Sequence, residues 1–169
     1  REEVLVRRYE ILFQEVGMSC DAKKISEKYE DFLGEGHYFI PGAKELLEDL
    51  SKKYHLYLAS NGAVKVQMSR IQSAGIEKYL EKIFLSEQIG YEKPSPQFFE
   101  KCFAQIPDFK KEEALILGDS LTSDIRGGKN AGILTVWFHP SGKKVEEEIV
   151  PDYEIGKLEE LKTILSFYS

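Results

Sequence analysis

The sequence predicts an α/β fold: a parallel sheet with helices on both faces, preceded by a small helical appendage. Three observations carry this expectation. From about residue 39 onward, short apolar runs alternate with amphipathic stretches, the pattern of strands joined by crossover helices. The run Leu115-Ile116-Leu117-Gly118 has no apolar–polar alternation, as suits a strand covered on both faces. Polar clusters then fall at or just beyond the strand ends, at Ser60-Asn61-Gly62, Lys93-Pro94 and Asp119-Ser120.

Leu5, Tyr9, Leu12 and Val16 mark one face of a helix from Glu2 to Val16, closed by Gly17. Ala22, Ile25, Tyr29 and Phe32 mark a second, capped by Asp21 and broken at Gly34-Glu35-Gly36. These helices carry many charges and no catalytic set, and His37 reads as a plain loop residue. Pro41-Gly42 opens a third helix with Ala43, Leu46, Leu47 and Leu50 on its apolar face. Tyr54 to Ala59 reads as a strand, ended by Ser60-Asn61-Gly62. Val64, Met68 and Ile71 give a helix stopped near Gly75, and Ile83 to Leu85 a short strand. Lys93-Pro94-Ser95-Pro96 introduces a helix around Phe98 to Phe103. After the strand at Leu115, a helix reaches Ala131, with Gly132 as its stop signal. Gly127 and Gly128 weaken that helix, so its support must come from packing or function. Leu134 to Phe138 is a further strand and Asp152 to Ile155 a short edge strand. Leu158, Leu161, Ile164 and Leu165 mark a final helix.

The 169 residues fit one ordinary domain or one domain with an appendage. Lys and Arg number 23 against 29 Asp and Glu, a net charge of −6 with no long basic run. A nucleic-acid polymer is therefore not the expected partner, since phosphate backbones require clustered cations, and with no spanning apolar stretch neither is a membrane. A small phosphorylated metabolite needs only one or two cations and stays open as the partner; oligomeric state is not legible. Cys20 and Cys102 lack metal-type spacing and read as reduced thiols. With no signal peptide and no spanning apolar stretch in the sequence, a cytoplasmic protein is expected.

In a parallel sheet the carboxyl ends of the strands share one edge, so the polar clusters converge. Asp119 and Asp124 there suit a hard divalent cation with oxygen ligands, magnesium above all. The competing account is an ordinary strand–turn–helix whose acidic residues complement a helix N-terminus, worth about 0.3–1 kcal/mol each. A serine hydroxyl, backbone N–H groups and a lysine ammonium surround an anion, and two carboxylates hold a cation beside it. That is equipment for phosphoryl transfer, where protein groups mostly position and neutralise charge.

These residues resemble a known family. A hydrophobic strand ending in Ser60-Asn61, then Lys93-Pro94-x-Pro96-x-x-Phe99, then Gly118-Asp119-Ser120 with Asp124 look like the second, third and fourth motifs of the haloacid dehalogenase-like (HAD) hydrolases. The stretch from Leu115 to Ile133, followed by Trp137 to Pro140, is most similar to the pyrimidine 5′-nucleotidase branch. The resemblance implies a Rossmann-like core over residues 39–169 and part of a helical cap over residues 1–38. It implies that Ser60 binds a phosphoryl oxygen, with Asn61 and Gly62 lining the same loop. Lys93 would neutralise the phosphoryl group and the nucleophile. Asp119 would ligate magnesium, with Asp124 supporting it directly or through water. The expected reaction is magnesium-dependent hydrolysis of small phosphomonoesters, nucleoside 5′-monophosphates among them.

One departure is serious. The family's first motif, Asp-x-Asp-x-Thr, is absent from all 169 residues. Its first aspartate is the nucleophile that forms an aspartyl-phosphate, and its second the general acid/base. By the resemblance, its strand lies between those at Tyr54–Ala59 and Leu115–Gly118, and is expected upstream of Arg1. The 169 residues by themselves are expected to be inactive. Two other readings compete with the phosphatase: a HAD-like scaffold that binds without turnover, and a 2-haloacid dehalogenase. The letters Gly118-Asp119-Ser120-Leu121 also spell the signature of GDSL esterases. That class needs a base histidine with an aspartate three residues before it, and Val136 stands three before His139. Ser120 therefore reads as a loop hydroxyl and His139 as a turn residue.

Overall fold

The structure, a computed structural model, describes residues 2–142 and 148–168. It divides into two compact units, residues 1–38 with 64–75, and residues 39–63 with 76–169. The helix over 64–74 thus joins the first two helices, an addition to the helical segment read from the sequence.

In the helical unit, α1 (Glu2–Glu15) and α2 (Ala22–Glu35) are joined through Gly17 in the left-handed region, φ 67°. Asp21 caps α2 as expected, its carboxylate accepting from Lys24 N at 3.0 Å. Arg8 lies over the rings of Tyr9 and Tyr29, at 4.8 and 4.9 Å. The helix α4 (Val64–Ala74) packs on α2. There Ser69 Oγ donates to Gly34 O at 2.7 Å, and Lys65 pairs with Asp31 at 2.5 Å. His37, read as a plain loop residue, instead bonds Ser73 Oγ at 2.7 Å.

The second unit is α/β with parallel strands. Strand β1 (Tyr57–Ser60) pairs in parallel with β2 (Lys82–Leu85). Separately, β3 (Leu115–Gly118), β4 (Leu134–Phe138) and β5 (Tyr153–Ile155) form a parallel sheet with β4 in the middle. Among the described residues, β1 and β3 each have one paired edge only. Five helices, α3 (Ala43–Leu50), α5 (Ser86–Ile89), α6 (Pro96–Phe103), α7 (Arg126–Ala131) and α8 (Leu161–Ser166), complete the described unit.

Alternation along β3 and β4 sorts the core into two faces. Val136 and Phe138, with Leu115 and Leu117, pack on Leu46 of α3 and Leu161 and Ile164 of α8. Ile116 faces the other way, onto a cluster holding Phe98, Phe99 and Cys102 of α6 and Ala131 of α7. Helices on both faces explain why β3 carries no polar alternation.

Several boundaries differ from the sequence expectation by a residue or two, as where α2 runs on through Gly34 to Glu35, and two differences have a clear local cause. The first strand starts at Tyr57 rather than Tyr54, because turns continue from α3: Lys53 N and Tyr54 N both donate to Leu50 O, at 3.0 and 2.8 Å. The helix after β3 opens as a π turn over Leu121–Ile125. Ser120 O accepts from both Asp124 N and Ile125 N, at 2.9 and 3.1 Å, which adds the fifth residue to the turn. The short helix α5 carries too few residues for a periodic signal and was not legible.

Candidate active site

The site lies at the carboxyl ends of β1 and β3, within the α/β unit. Ser60 is the last residue of β1, and its Oγ accepts from Gly62 N at 3.1 Å, closing the loop that follows. Asn61 reaches to the segment before α6. Its Oδ1 accepts from Lys93 N at 2.8 Å and its Nδ2 donates to Lys93 O at 2.9 Å. A single carboxamide thus holds both backbone groups of Lys93. The Lys93–Pro94 peptide bond is cis.

So held, the Lys93 side chain is only 9% exposed. Its ammonium donates to Ala59 O on β1 at 2.6 Å and to Asp124 Oδ1 at 2.6 Å. Asp124, whose side chain is 10% exposed, accepts at Oδ2 from Ser120 N at 3.1 Å. The pair is nearly dry, so each charge depends on the other; deleting one partner of such a pair costs roughly 3–5 kcal/mol.

Gly118 makes room for this arrangement. A Cβ at that position would stand 2.4 Å from the Asp124 Cβ, Cγ and Oδ2 atoms. The same logic explains the two glycines of α7. A Cβ on Gly127 would meet the Phe99 ring at 2.5 Å, and one on Gly128 would meet Ile116 Cγ2 at 2.5 Å. Packing, at the cost of helix propensity, draws α7 against the sheet and fixes the turn that carries Asp124.

Asp119 differs from Asp124. It is exposed, and its carboxylate takes no hydrogen bond or ion pair from the described residues. Its backbone is tied instead: Trp137 Nε1 donates to Asp119 O at 3.0 Å. Magnesium is commonly held by one or two carboxylates, with waters and substrate phosphate completing an octahedron. Asp119, with free oxygens, and Asp124 beside the turn fit that minimal protein share. No group of three His, Cys, Asp or Glu side chains gathers among the described residues.

The structure therefore brings Ser60, Asn61, Lys93 and Asp124 into one hydrogen-bonded set, with Asp119 at the same strand end. Sequence reading missed Trp137 and its neighbours. The signal was present in the strand pair, since equal-register parallel pairing sets Trp137 beside Gly118. His139, expected to be a simple turn residue, is a junction. Its ring stacks on Trp137 with centroids 3.9 Å apart, and it bonds Glu154 Oε1 at 2.8 Å and Ser141 Oγ at 2.7 Å.

A parallel α/β unit with a lysine–aspartate pair and a serine loop at its strand ends is the framework of a hydrolase class. The sequence matches the description "Haloacid dehalogenase-like hydrolase" over residues 3–138. It is 42% identical over 166 residues to the HAD-hydrolase YfnB of Bacillus subtilis, covering 98% of this chain and 71% of that protein. A crystal structure of YfnB, described as bound to magnesium, superposes with a TM-score of 0.92 and covers 98% of this chain and 72% of that one. The pyrimidine 5′-nucleotidase PynA of Streptococcus pneumoniae is 36% identical over 162 residues, covering 95% of this chain and 68% of that protein. The pyrimidine 5′-nucleotidase YjjG of Escherichia coli is 28% identical over 148 residues, covering 88% of this chain and 66% of that protein. The chain belongs to the haloacid dehalogenase-like hydrolases, a family of enzymes with a Rossmann-like core.

Proposed function

We propose that the full-length protein is a magnesium-dependent phosphatase of small phosphomonoesters, with nucleoside 5′-monophosphates as the first candidates. The observation that carries this reading is the buried Lys93 ammonium, held between Ala59 O and Asp124 at the strand ends. A fixed cation beside the Ser60 loop is suited to a phosphoryl group, and lysine serves there as a compact point charge. The nucleotide half rests on two relatives named pyrimidine 5′-nucleotidases.

In this reading Ser60 Oγ and the N–H groups of the Ser60–Gly62 loop hold phosphoryl oxygens. Lys93 offsets their charge, and Asn61 keeps Lys93 in place. Asp119 and Asp124 would hold magnesium, which supplies charge neutralisation on the transferring phosphoryl group when bound. The aspartate nucleophile that forms the aspartyl-phosphate, and the general acid/base beside it, lie outside these 169 residues. The cap role of the helical unit, a small-metabolite partner and a cytoplasmic location belong to the same proposal. Among the described residues no helix is long and apolar enough to cross a membrane.

Asp119→Asn in the full-length protein is expected to lose magnesium-dependent hydrolysis of a phosphomonoester by about a hundredfold or more, with an unchanged circular-dichroism spectrum. Unchanged turnover removes the metal assignment. A screen of phosphorylated metabolites in which sugar phosphates far outrun nucleotides rejects the nucleotide half. Turnover of 2-haloacids without phosphatase activity selects the dehalogenase reading, and binding without any turnover selects the non-catalytic one.

A further inference from the structure

Asp119 and Asp124 stand on either end of one tight turn, and neither is held there by the turn alone. Trp137 touches both halves of it. Its indole Nε1 donates to Asp119 O at 3.0 Å. Its ring forms a buried cluster with Leu121 and Ile125, the first and last residues of the π turn that carries Asp124. Trp137 is 9% exposed, Leu121 8% and Ile125 fully buried, so the contact is dry.

The indole is itself held. On β4 it stands in register with Gly118, the residue before Asp119. The His139 ring stacks on it at an interplanar angle of 16°. That imidazole is fixed at both nitrogens, by Glu154 on β5 and by Ser141 in the following turn. A chain of contacts therefore runs from β5 through His139 and Trp137 to the backbone of Asp119.

We propose that Trp137 is a positioning residue for the metal carboxylates, and that His139 acts behind it to hold the indole. The proposal rests on the assignment of magnesium to Asp119. The indole N–H fixes the Asp119 peptide, and so the direction in which its otherwise unpartnered carboxylate leaves the strand. The same ring wedges the Leu121–Ile125 turn, which sets Asp124 against Lys93. Groups that orient metal ligands without touching the metal commonly affect affinity by 10- to 100-fold. A backbone contact belongs near the lower end of that range.

The test is magnesium affinity of the full-length protein, measured by titration calorimetry without substrate. Trp137→Phe keeps most of the packing and removes the N–H donor. It is expected to weaken magnesium binding about tenfold while KM for the phosphomonoester at saturating magnesium stays within about twofold. Wild-type affinity in a folded Trp137→Phe protein overturns the proposal. Should that variant fail to fold, His139→Ala decides, since it leaves the indole donor and removes only its support. A two- to threefold weaker affinity, on the order expected for a lost packing contact, is the supporting result, and wild-type affinity the overturning one. Asp119→Asn separates the two levels. If it abolishes magnesium binding while both other variants bind normally, the positioning role fails and the metal site stands. If it binds normally, both fail.

Discussion

Asp152 shows how one side chain secures a sheet edge. Its Oδ2 accepts from Thr135 N at 2.9 Å and from Thr135 Oγ1 at 2.7 Å, and its Oδ1 from Lys129 at 2.5 Å. Burial works to raise its pKa, but the Lys129 and Thr135 hydrogen bonds outweigh it and hold the carboxyl below 3.8. A depressed folded-state pKa means stability that is present above 3.8 and lost as pH falls through the lower folded value. Asp152→Asn should therefore lower stability at pH 7 by about 1–2 kcal/mol, and the gap should narrow as pH falls below the usual aspartate range. Denaturant melts of both proteins at pH 7 and near pH 3 measure this. None of it was legible in the sequence, where Asp152 read as the first residue of an edge strand. Lys129 on α7 and Asp152 just before β5 stand 23 positions apart in the chain and meet only in the folded protein. Cys102 has a similarly hidden environment: burial pushes its thiol up to about 12, with the Lys93 charge acting in the opposite direction.

At the level of elements, legibility followed the strength of local patterning. The strands at Leu115–Gly118 and Leu134–Phe138 have the expected boundaries, because each is a short run, apolar but for Thr135 in the second, between turn signals. Ser60 and Asp119 stood out for a related reason, since each ends or follows a strand, whereas Lys93 comes after α5 and is brought to the site by Asn61. Trp137 did not stand out, since inside an apolar strand a tryptophan reads as core, and its hydrogen bond depends on register. Gly127 and Gly128 were legible as an anomaly but not as an explanation. The structure supplies the partners, and Gly128 gives the cleaner test because a Cβ there would meet apolar atoms of β3 and β4, whereas one on Gly127 would also meet Pro94, the neighbour of Lys93. A Cβ on Gly128 would stand 2.5 Å from Ile116 Cγ2 and 2.7 Å from Thr135 Cγ2. Gly128→Ala gains up to about 1 kcal/mol of helix propensity but must push α7 off β3 and β4. The expected net loss is about 1–3 kcal/mol, read as a lower midpoint in urea.

At the scale of the molecule, the family match extends over most of the chain, yet the proposed chemistry divides between residues on and off it. Ser60, Lys93, Asp119 and Asp124 can hold a phosphate and a cation. In the proposed reading none is available as nucleophile, because Ser60 and Lys93 hold the phosphoryl group and Asp119 and Asp124 hold the metal. The 169 residues expressed by themselves should show no phosphatase turnover, while addition of a segment supplying Asp-x-Asp-x-Thr on an apolar strand should restore it. Magnesium-dependent hydrolysis by the purified 169-residue chain, free of contaminating phosphatase, would refute that division of labour.

The edges of β1 and β3 carry a further consequence. Each of β1 and β3 keeps one row of peptide N–H and C=O groups without a strand partner among the described residues. Both are short, four residues each, and neither carries a charged residue, proline or bulge that would discourage a neighbour. Such an edge accepts whichever extended peptide arrives first. In the purified 169-residue chain the competing peptide is another copy, so its solution behaviour should depend on concentration, with light scattering rising well before any loss of helical signal. A synthetic apolar strand added in excess should suppress that scattering, making solubility the first property to report that the edge has been filled.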